Sequence, residues 1–201
     1  EGSVRQVGGD DAITTRIGAV ALPLAIPVLV VAELFHPQRE DPMDNTAVFL
    51  EYAQSDSWTT VHLAQYFGFL LLLGALIALY YSVRTKPGTG EGLAPFGFAA
   101  AVTAAASFTV LQAVDGIALK RAVDAWATAP ADQEIAAFAA AEAVRWTEIG
   151  MNSLSFFLMG LTLFLYRLSI ALGTVYPRWA GWIAALSGVA LMYNGVLEVA
   201  Y

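Results

Sequence analysis

The clearest pattern along the chain is a set of five apolar stretches separated by polar segments. The most uniform of them, residues 66–83, carries no charged side chain, and at about 1.5 Å rise per residue it makes a helix about 27 Å long, which spans a bilayer. The pattern predicts an all-α integral membrane protein built as a five-helix transmembrane bundle. Its spans are expected at about 17–35, 58–83, 93–115, 148–172 and 178–200.

The polar segments predict how these spans are organised. Residues 1–16 read as a polar N-terminal tail, and residues 17–201 read as one transmembrane helical domain. The acidic segment 38–57 is expected outside the bilayer, with a short surface helix at 46–54. Helical sequence continues past the third span to about Thr128 and resumes at Asp132, after Pro130. Helices three and four are therefore predicted to form an antiparallel hairpin that turns at 129–132 and protrudes from the membrane.

Basic residues predict the orientation. The two sides of the five-span arrangement carry unequal numbers of Lys and Arg, and the richer side is expected to be cytoplasmic. This places the N-terminus in the cytoplasm and the C-terminus outside the cell membrane. The richer side holds Arg5, Arg16, Arg84, Lys86, Arg167 and Arg178, and the other holds Arg39, Lys120, Arg121 and Arg145.

Composition supports the membrane assignment and excludes several functions. Hydrophobic residues make up 58% of the chain and charged residues 13%, whereas about a quarter of the residues in soluble domains are charged. The net charge of −7 argues against nucleic acid as a partner, because nucleic-acid binding needs clustered Lys and Arg. The absence of Cys excludes disulfides, iron–sulfur clusters and thiolate catalysis. A metal site in this chain must therefore use His and carboxylates.

Polar residues recur at the predicted extracytoplasmic end of every span. Ionisable groups at membrane depth cost at least a few kcal/mol each and usually face a bundle interior or water. We therefore expect these residues to converge on one polar pocket. The candidate metal ligands are Glu33, His36, His62, Glu148 and Glu198, and the candidate ligand-pocket residues are Gln65, Gln112, Asp115, Asn152 and Asn194.

Spacing within the first two helices suggests the chemistry of this pocket. Glu33 and His36 lie three residues apart on one helical face, as in carboxylate-bridged di-metal bundles, although those bundles repeat the motif. An antiparallel register that sets His36 opposite His62 also sets Glu33 opposite Gln65. Such a set of nitrogen and oxygen ligands suits Zn, Fe, Mn or Cu, and a haem b between the two His is an alternative. The simplest alternative places both His at the headgroup level, hydrogen-bonded to water or to Glu33 and Gln65.

The charges on the predicted hairpin have a structural interpretation. If the turn centres near residue 130, antiparallel partners are Lys120 with Glu142, Asp115 with Arg145, and Gln112 with Glu148. These pairs are expected to stabilise the hairpin, by at most about 1 kcal/mol for each exposed pair.

The last span is introduced by Tyr176-Pro-Arg-Trp-Ala-Gly-Trp182 and is rich in Gly and Ala. From Ser153 onward the chain resembles uncharacterised polytopic bacterial membrane proteins that are grouped as a domain-of-unknown-function family. The resemblance implies a small helical membrane bundle and carries no catalytic residue.

Two classes of function follow. One is a membrane metalloenzyme or redox protein that acts on an apolar substrate at the outer leaflet. The other is a non-enzymatic bundle, either a ligand-binding protein or an accessory subunit that packs, through its Ala-rich third helix, against a larger complex or another copy. A transporter fits less well, because the chain has no paired broken helices.

The topology is testable because the chain has no native Cys. With five spans, a single Cys introduced after Arg84 and another introduced at Tyr201 should react with a membrane-impermeant reagent from opposite sides of sealed vesicles. Labelling of both positions from the same side would contradict the five-span arrangement.

Overall fold

The computed structural model describes residues 10–84, 90–174 and 176–200, and every regular element within them is helical. A 3₁₀ turn, Glu91–Leu93, leads into the fourth α-helix, and a π-helical segment, Val114–Leu119, joins the fourth α-helix to the fifth. The α-helices are α1 Asp10–Leu34, α2 Asn45–Ala53, α3 Trp58–Arg84, α4 Ala94–Ala113, α5 Lys120–Ala127, α6 Glu134–Leu172 and α7 Arg178–Ala200.

Five of these helical units are long and apolar enough to cross a membrane, which confirms the predicted fold class. They are Ile13–Leu34, Trp58–Arg84, Glu91–Ala127, Glu134–Leu172 and Arg178–Glu198. The first helix begins earlier than expected, so that residues 10–16 of the predicted tail are helical. Residues 1–9 of that tail and residues 85–89 of the turn after α3 lie outside the described part of the chain.

The long helices pack as a row in chain order. The main packing partner of α1 is α3, α3 packs on α4, α4 packs on α6, and α6 packs on α7. Small residues on α4, including Ala100, Ala101 and Ala104, are buried and let the helix backbones approach closely. The row places α1 and α7 at its two ends.

The backbones of α6 and α7 approach each other closely. A Cβ atom added to Gly160 would lie 2.6 Å from the backbone nitrogen of Met192, and one added to Gly188 would lie 2.6 Å from the backbone nitrogen of Phe164. In addition, the Ser153 hydroxyl donates a hydrogen bond to the carbonyl of Gly195. The last helix is thus held in part by a seam of glycines.

Helices α5 and α6 are connected by a turn at residues 128–133, close to the predicted position. Val123 and Trp126 of α5 form a buried apolar core with Ala141 of α6 and Phe49 of α2. The short helix α2 therefore folds back over the hairpin. Protrusion of the hairpin from the membrane stays a prediction.

The predicted charge pairs of the hairpin were wrong in two cases. Lys120 pairs with Asp124 within its own helix, at 2.6 Å, instead of Glu142. Arg145 donates hydrogen bonds to the Tyr52 hydroxyl at 3.2 Å and to the Pro42 carbonyl at 3.1 Å, instead of binding Asp115. The partners of Arg145 come from α2 and the loop before it. The π-helical segment, which has i to i+5 hydrogen bonds, also rotates the residues that follow it relative to a continuous α-helix.

The glycine seam predicts a stability difference between two glycines of α6. Gly160→Ala should lower the free energy of unfolding by about 1–3 kcal/mol, because the added methyl group overpacks a backbone contact. Gly150 has no neighbouring atom within 4 Å of an added Cβ, so Gly150→Ala should be neutral or stabilising by up to about 1 kcal/mol. Thermal unfolding of both variants in the same detergent measures the difference, and equal stability would contradict the seam.

Candidate metal centre

Three residues from different parts of the chain meet at the end of the bundle that carries α2. His36 follows the C-terminus of α1, His62 lies in the second turn of α3, and Asp115 lies in the π-helical segment. One ligand atom from each lies within 4.8 Å of the other two. Among the described residues, this is the group of three whose positions suit a metal ion.

The predicted register between the first two long helices is confirmed. The rings of His36 and His62 have centroids 5.0 Å apart, and the Gln65 amide donates a hydrogen bond to Glu33 at 3.3 Å. The two antiparallel pairs therefore occur together, as the sequence spacing predicted.

Trp58 holds the three residues in place. Its side chain is 1% exposed, and its indole N–H donates a hydrogen bond to the backbone carbonyl of Asp115 at 3.0 Å. The same indole packs against both imidazoles, with centroids 4.4 Å from His62 and 5.3 Å from His36. The ring of Tyr52, in α2, also packs against the indole of Trp58, with centroids 4.2 Å apart.

The π-helical segment brings Asp115 close to α3. Gly116 follows Asp115, and a Cβ atom at this position would lie 2.7 Å from the Cβ of His62. Only a residue without a side chain allows the two backbones this approach. Single π-helical turns within α-helices occur frequently at functional sites, and this one presents its carboxylate to His62.

The hydrogen bonds of His62 define which nitrogen faces Asp115. Nδ1 lies 2.8 Å from the carbonyl oxygen of Trp58, and because a carbonyl only accepts, Nδ1–H is the donor. Nε2 lies 2.9 Å from Oδ2 of Asp115. A lone pair on this nitrogen would face the lone pairs of the carboxylate, so a cation lies between the two atoms. That cation is either a proton, as in an ordinary ion pair, or a metal ion.

His36 contributes an imidazole nitrogen without a partner. Its Nδ1 is buried and makes no hydrogen bond. Burial lowers the pKa of His36, and the neighbouring His62 lowers it further, against the opposing effect of the carboxyls of Asp115 and Glu33. The ring is therefore neutral near pH 7, which is the form that binds metal ions.

A cavity of about 900 Å³ adjoins the centre and collects most of the predicted site residues. His62 is 2% exposed and does not line the cavity, whereas its partner Asp115 does. Asn194 is exposed on α7 and is not part of the cavity wall. The predicted residues that line the cavity are Glu33, His36, Gln65, Gln112, Asp115, Glu148, Asn152 and Glu198.

The other predicted metal ligands lie outside the group of three. Glu198 accepts a hydrogen bond from Asn152 at 2.6 Å, Glu148 lies 3.9 Å from Arg145, and Glu33 accepts from Gln65. The role of these carboxylates as metal ligands stays a prediction. The structure instead brings Asp115, predicted as a pocket residue, next to the two His.

Sequence reasoning missed the role of Trp58, and it assigned Asp115 to the ligand pocket and to a pair with Arg145 instead of to the metal ligands. Trp58 lies four residues before His62, so both share one face of α3, and this spacing was the available signal. Asp115 is followed directly by Gly116, a small residue where another backbone can approach. Neither signal indicates a π-helical segment or identifies His62 as the partner of Asp115.

No family model, curated protein or solved structure matches the chain. The resemblance of the last third to uncharacterised bacterial membrane proteins stays a prediction.

The close approach at Gly116 predicts a local effect on one imidazole. Gly116→Ala should displace His62 from Asp115 and lower the free energy of unfolding by about 1–3 kcal/mol, because the methyl group overlaps the His62 side chain. The chain has 2 His, so ¹⁵N-histidine NMR resolves the affected ring. Gly92→Ala is the control, since nothing lies within 4 Å of a Cβ at that position. Unchanged His62 signals in Gly116→Ala would contradict the geometry.

Proposed function

We propose that this protein is an integral membrane metalloprotein in which His36, His62 and Asp115 bind one divalent transition-metal ion. The observation that carries the proposal is that one ligand atom from each of these three residues lies within 4.8 Å of the other two. His62 Nε2 and Asp115 Oδ2 are 2.9 Å apart, and the buried Nδ1 of His36 has no hydrogen-bond partner.

The distances suit a single ion. With metal–ligand bonds of about 2.0–2.2 Å, neighbouring ligand atoms on one ion lie about 3 Å apart, which agrees with the His62–Asp115 separation. His36 lies after the end of α1, in a non-helical segment, so a small movement of its side chain completes the contact. A haem plane would have to pass between the two His rings, whose centroids are 5.0 Å apart, and this favours an ion over a haem.

The ligand types narrow the choice of metal. Two imidazoles and one carboxylate are typical of non-haem Fe(II) sites and of catalytic Zn sites. We therefore propose Fe or Zn ahead of Mn or Cu. Three protein ligands leave further coordination positions for water or a substrate, which is the property that distinguishes catalytic metal sites from structural ones.

The location of the site indicates the kind of substrate. The centre adjoins the 900 Å³ cavity at one end of helices that are long and apolar enough to span a membrane. With the N-terminus in the cytoplasm, this end lies on the extracytoplasmic side. The proposed activity is a metal-dependent or redox reaction on an apolar substrate that reaches the site from the outer leaflet.

A second candidate function follows from the same contact. If the cation between His62 and Asp115 is a proton, the pair is a buried structural ion pair supported by Trp58. The protein would then be a non-enzymatic ligand-binding protein or an accessory subunit. Exposed apolar side chains on α4, such as Phe96 and Val110, offer a packing surface for a membrane partner or another copy.

Metal analysis separates the two candidates. The purified protein, stripped with chelator and dialysed against Zn²⁺ or anaerobic Fe²⁺, should retain one ion per chain. Removing a residue that hydrogen-bonds to a metal ligand typically lowers metal affinity about 10–100-fold. His62→Ala and Asp115→Asn remove ligands themselves, so each should weaken binding at least about 100-fold. Asp124→Asn is the matched control, because Asp124 lies in the same helical unit but pairs with Lys120.

Several results would reject the metal proposal. They are retention of the ion by Asp115→Asn with unchanged affinity, equal loss in Asp124→Asn, or absence of binding by folded wild-type protein. The last result would favour the structural ion pair, and a Soret band would favour the haem.

A further inference from the structure

The cavity beside the centre has the size and shape of a ligand pocket. Its volume of about 900 Å³ lies within the range of about 300–1,000 Å³ that is typical of small-molecule sites. Its wall includes residues from α1, α3, α4, α6 and α7. The cavity therefore lies between the helices, and exposed lining residues such as Met43 and Trp146 show that it reaches the surface.

The wall of the cavity has a polar part and an apolar part. The polar part includes His36 and Asp115 of the candidate metal centre. The apolar part includes aromatic and aliphatic side chains from α1, α3, α4 and α6. These are Leu29, Phe69, Leu72, Phe108, Leu111 and Phe156. A molecule that fills the whole cavity must have a polar head and an apolar tail.

Buried polar atoms in the wall lack partners within the protein. Gln112 is 9% exposed and its Oε1 has no hydrogen bond, and Arg145 is 6% exposed and its Nε has none. Oε2 of Glu198 is also unpartnered. Buried polar groups are almost always hydrogen-bonded, so these atoms call for a ligand that donates to Gln112 and Glu198 and accepts from Arg145.

Apart from the proposed ion, the charged groups of the wall disfavour an anionic head. Among the described residues that line the cavity, carboxyl groups come from Glu33, Asp115, Glu148 and Glu198, whereas Arg145 supplies the guanidinium. A phosphate placed here would face like charges in a largely apolar surrounding, which is strongly unfavourable. Hydroxyl and amide groups fit, because they donate and accept without a negative charge.

The packing of the helices indicates where the ligand comes from. The main partner of α1 is α3 and that of α7 is α6, so the two end helices of the row do not form a main interface with each other. Leu29 and Val30 of α1 and Glu198 of α7 nevertheless face the same cavity, and Val30 is 53% exposed. The cavity therefore reaches the exposed side of α1 at Val30, within a helix that is long and apolar enough to span a membrane.

We propose that this cavity binds an uncharged amphiphile from the bilayer, with a hydroxyl- or amide-bearing head next to Gln112, Arg145 and Glu198 and an apolar tail along Phe69, Leu72 and Phe108. A monoacylglycerol has this chemistry. The inference rests on the proposed function only in placing the head beside the bound ion, since the contacts that recognise the amphiphile do not include the ion.

Photo-crosslinking tests the site directly. The full chain in phosphatidylcholine nanodiscs is irradiated with 1-oleoylglycerol that carries a diazirine in its tail, with and without excess unlabelled 1-oleoylglycerol. Saturable crosslinks should map to the apolar wall around Phe69 and Phe108. The same probe carrying a phosphate on its glycerol, and free glycerol as a competitor, distinguish the contributions of head and tail.

Gln112→Met is the decisive variant. It keeps the size of the side chain and removes the unpartnered amide oxygen. Because a buried polar atom without a partner is lost, the thermal stability should be unchanged or higher. Saturable capture of the probe should fall about tenfold. Asn194→Leu, which alters an exposed amide on α7 away from the cavity, should capture the probe as the wild type does. Leu72→Trp narrows the apolar part of the cavity and should also reduce capture of the probe. It replaces Gln112→Met as the test variant if Gln112→Met does not fold.

The alternative outcomes are distinguishable. Non-saturable labelling, or equal capture by Gln112→Met and wild type, would overturn the site. Equal capture of the phosphate probe would overturn the choice of head, and competition by glycerol would overturn the need for a tail. Capture is measured on metal-stripped and metal-loaded protein, so that saturable capture without metal binding rejects only the proposed function, and metal binding without capture rejects only this inference.

Discussion

The contacts of Trp58 are the interaction on which the candidate centre depends. The indole is buried, donates to the backbone of Asp115 and packs against both imidazoles. It also belongs to the apolar core that joins α2, α5 and α6. One side chain therefore connects the α2 region, the start of α3 and the π-helical segment. Because these parts are far apart in sequence, the relative positions of His36, His62 and Asp115 depend on this packing and not on any local motif.

The polar groups at this end of the bundle explain why the packing must be specific. Burial of an unpaired polar or charged group costs several kcal/mol, and the structure compensates by pairing most of them. His62 faces Asp115, Asn152 bonds to Glu198, and Arg145 bonds to Tyr52 and Pro42. The atoms left without partners are concentrated in the wall of one cavity. This distribution is the basis for assigning a ligand to the cavity as well as an ion to the centre.

The two proposals describe one site with separable parts. Two imidazoles and a carboxylate suit a transition-metal ion, while the unpartnered amide oxygen of Gln112 and the apolar wall suit the head and tail of an amphiphile. A metal ion next to the head of an uncharged amphiphile is an arrangement for chemistry on a membrane-derived molecule. If the cation is a proton, the same cavity still describes a binding protein, which is the non-enzymatic alternative that the sequence left open.

The sequence by itself determined the helical spans and suggested the register of the first two. In lipid every backbone N–H and C=O must be bonded within its own segment, so length and hydropathy are sufficient to predict spanning helices. The spacing of Glu33, His36, His62 and Gln65 suggested the register, because one antiparallel register brings both pairs together, and the structure confirmed it. Past residue 113 the same reasoning fails, since the π-helical segment rotates the following residues and α2 folds back to supply Tyr52 and Pro42 to Arg145. Only the tertiary structure therefore decided that Asp115 meets His62 instead of Arg145, because partner choice between helices depends on their rotation and depth, which are set by contacts distant in sequence.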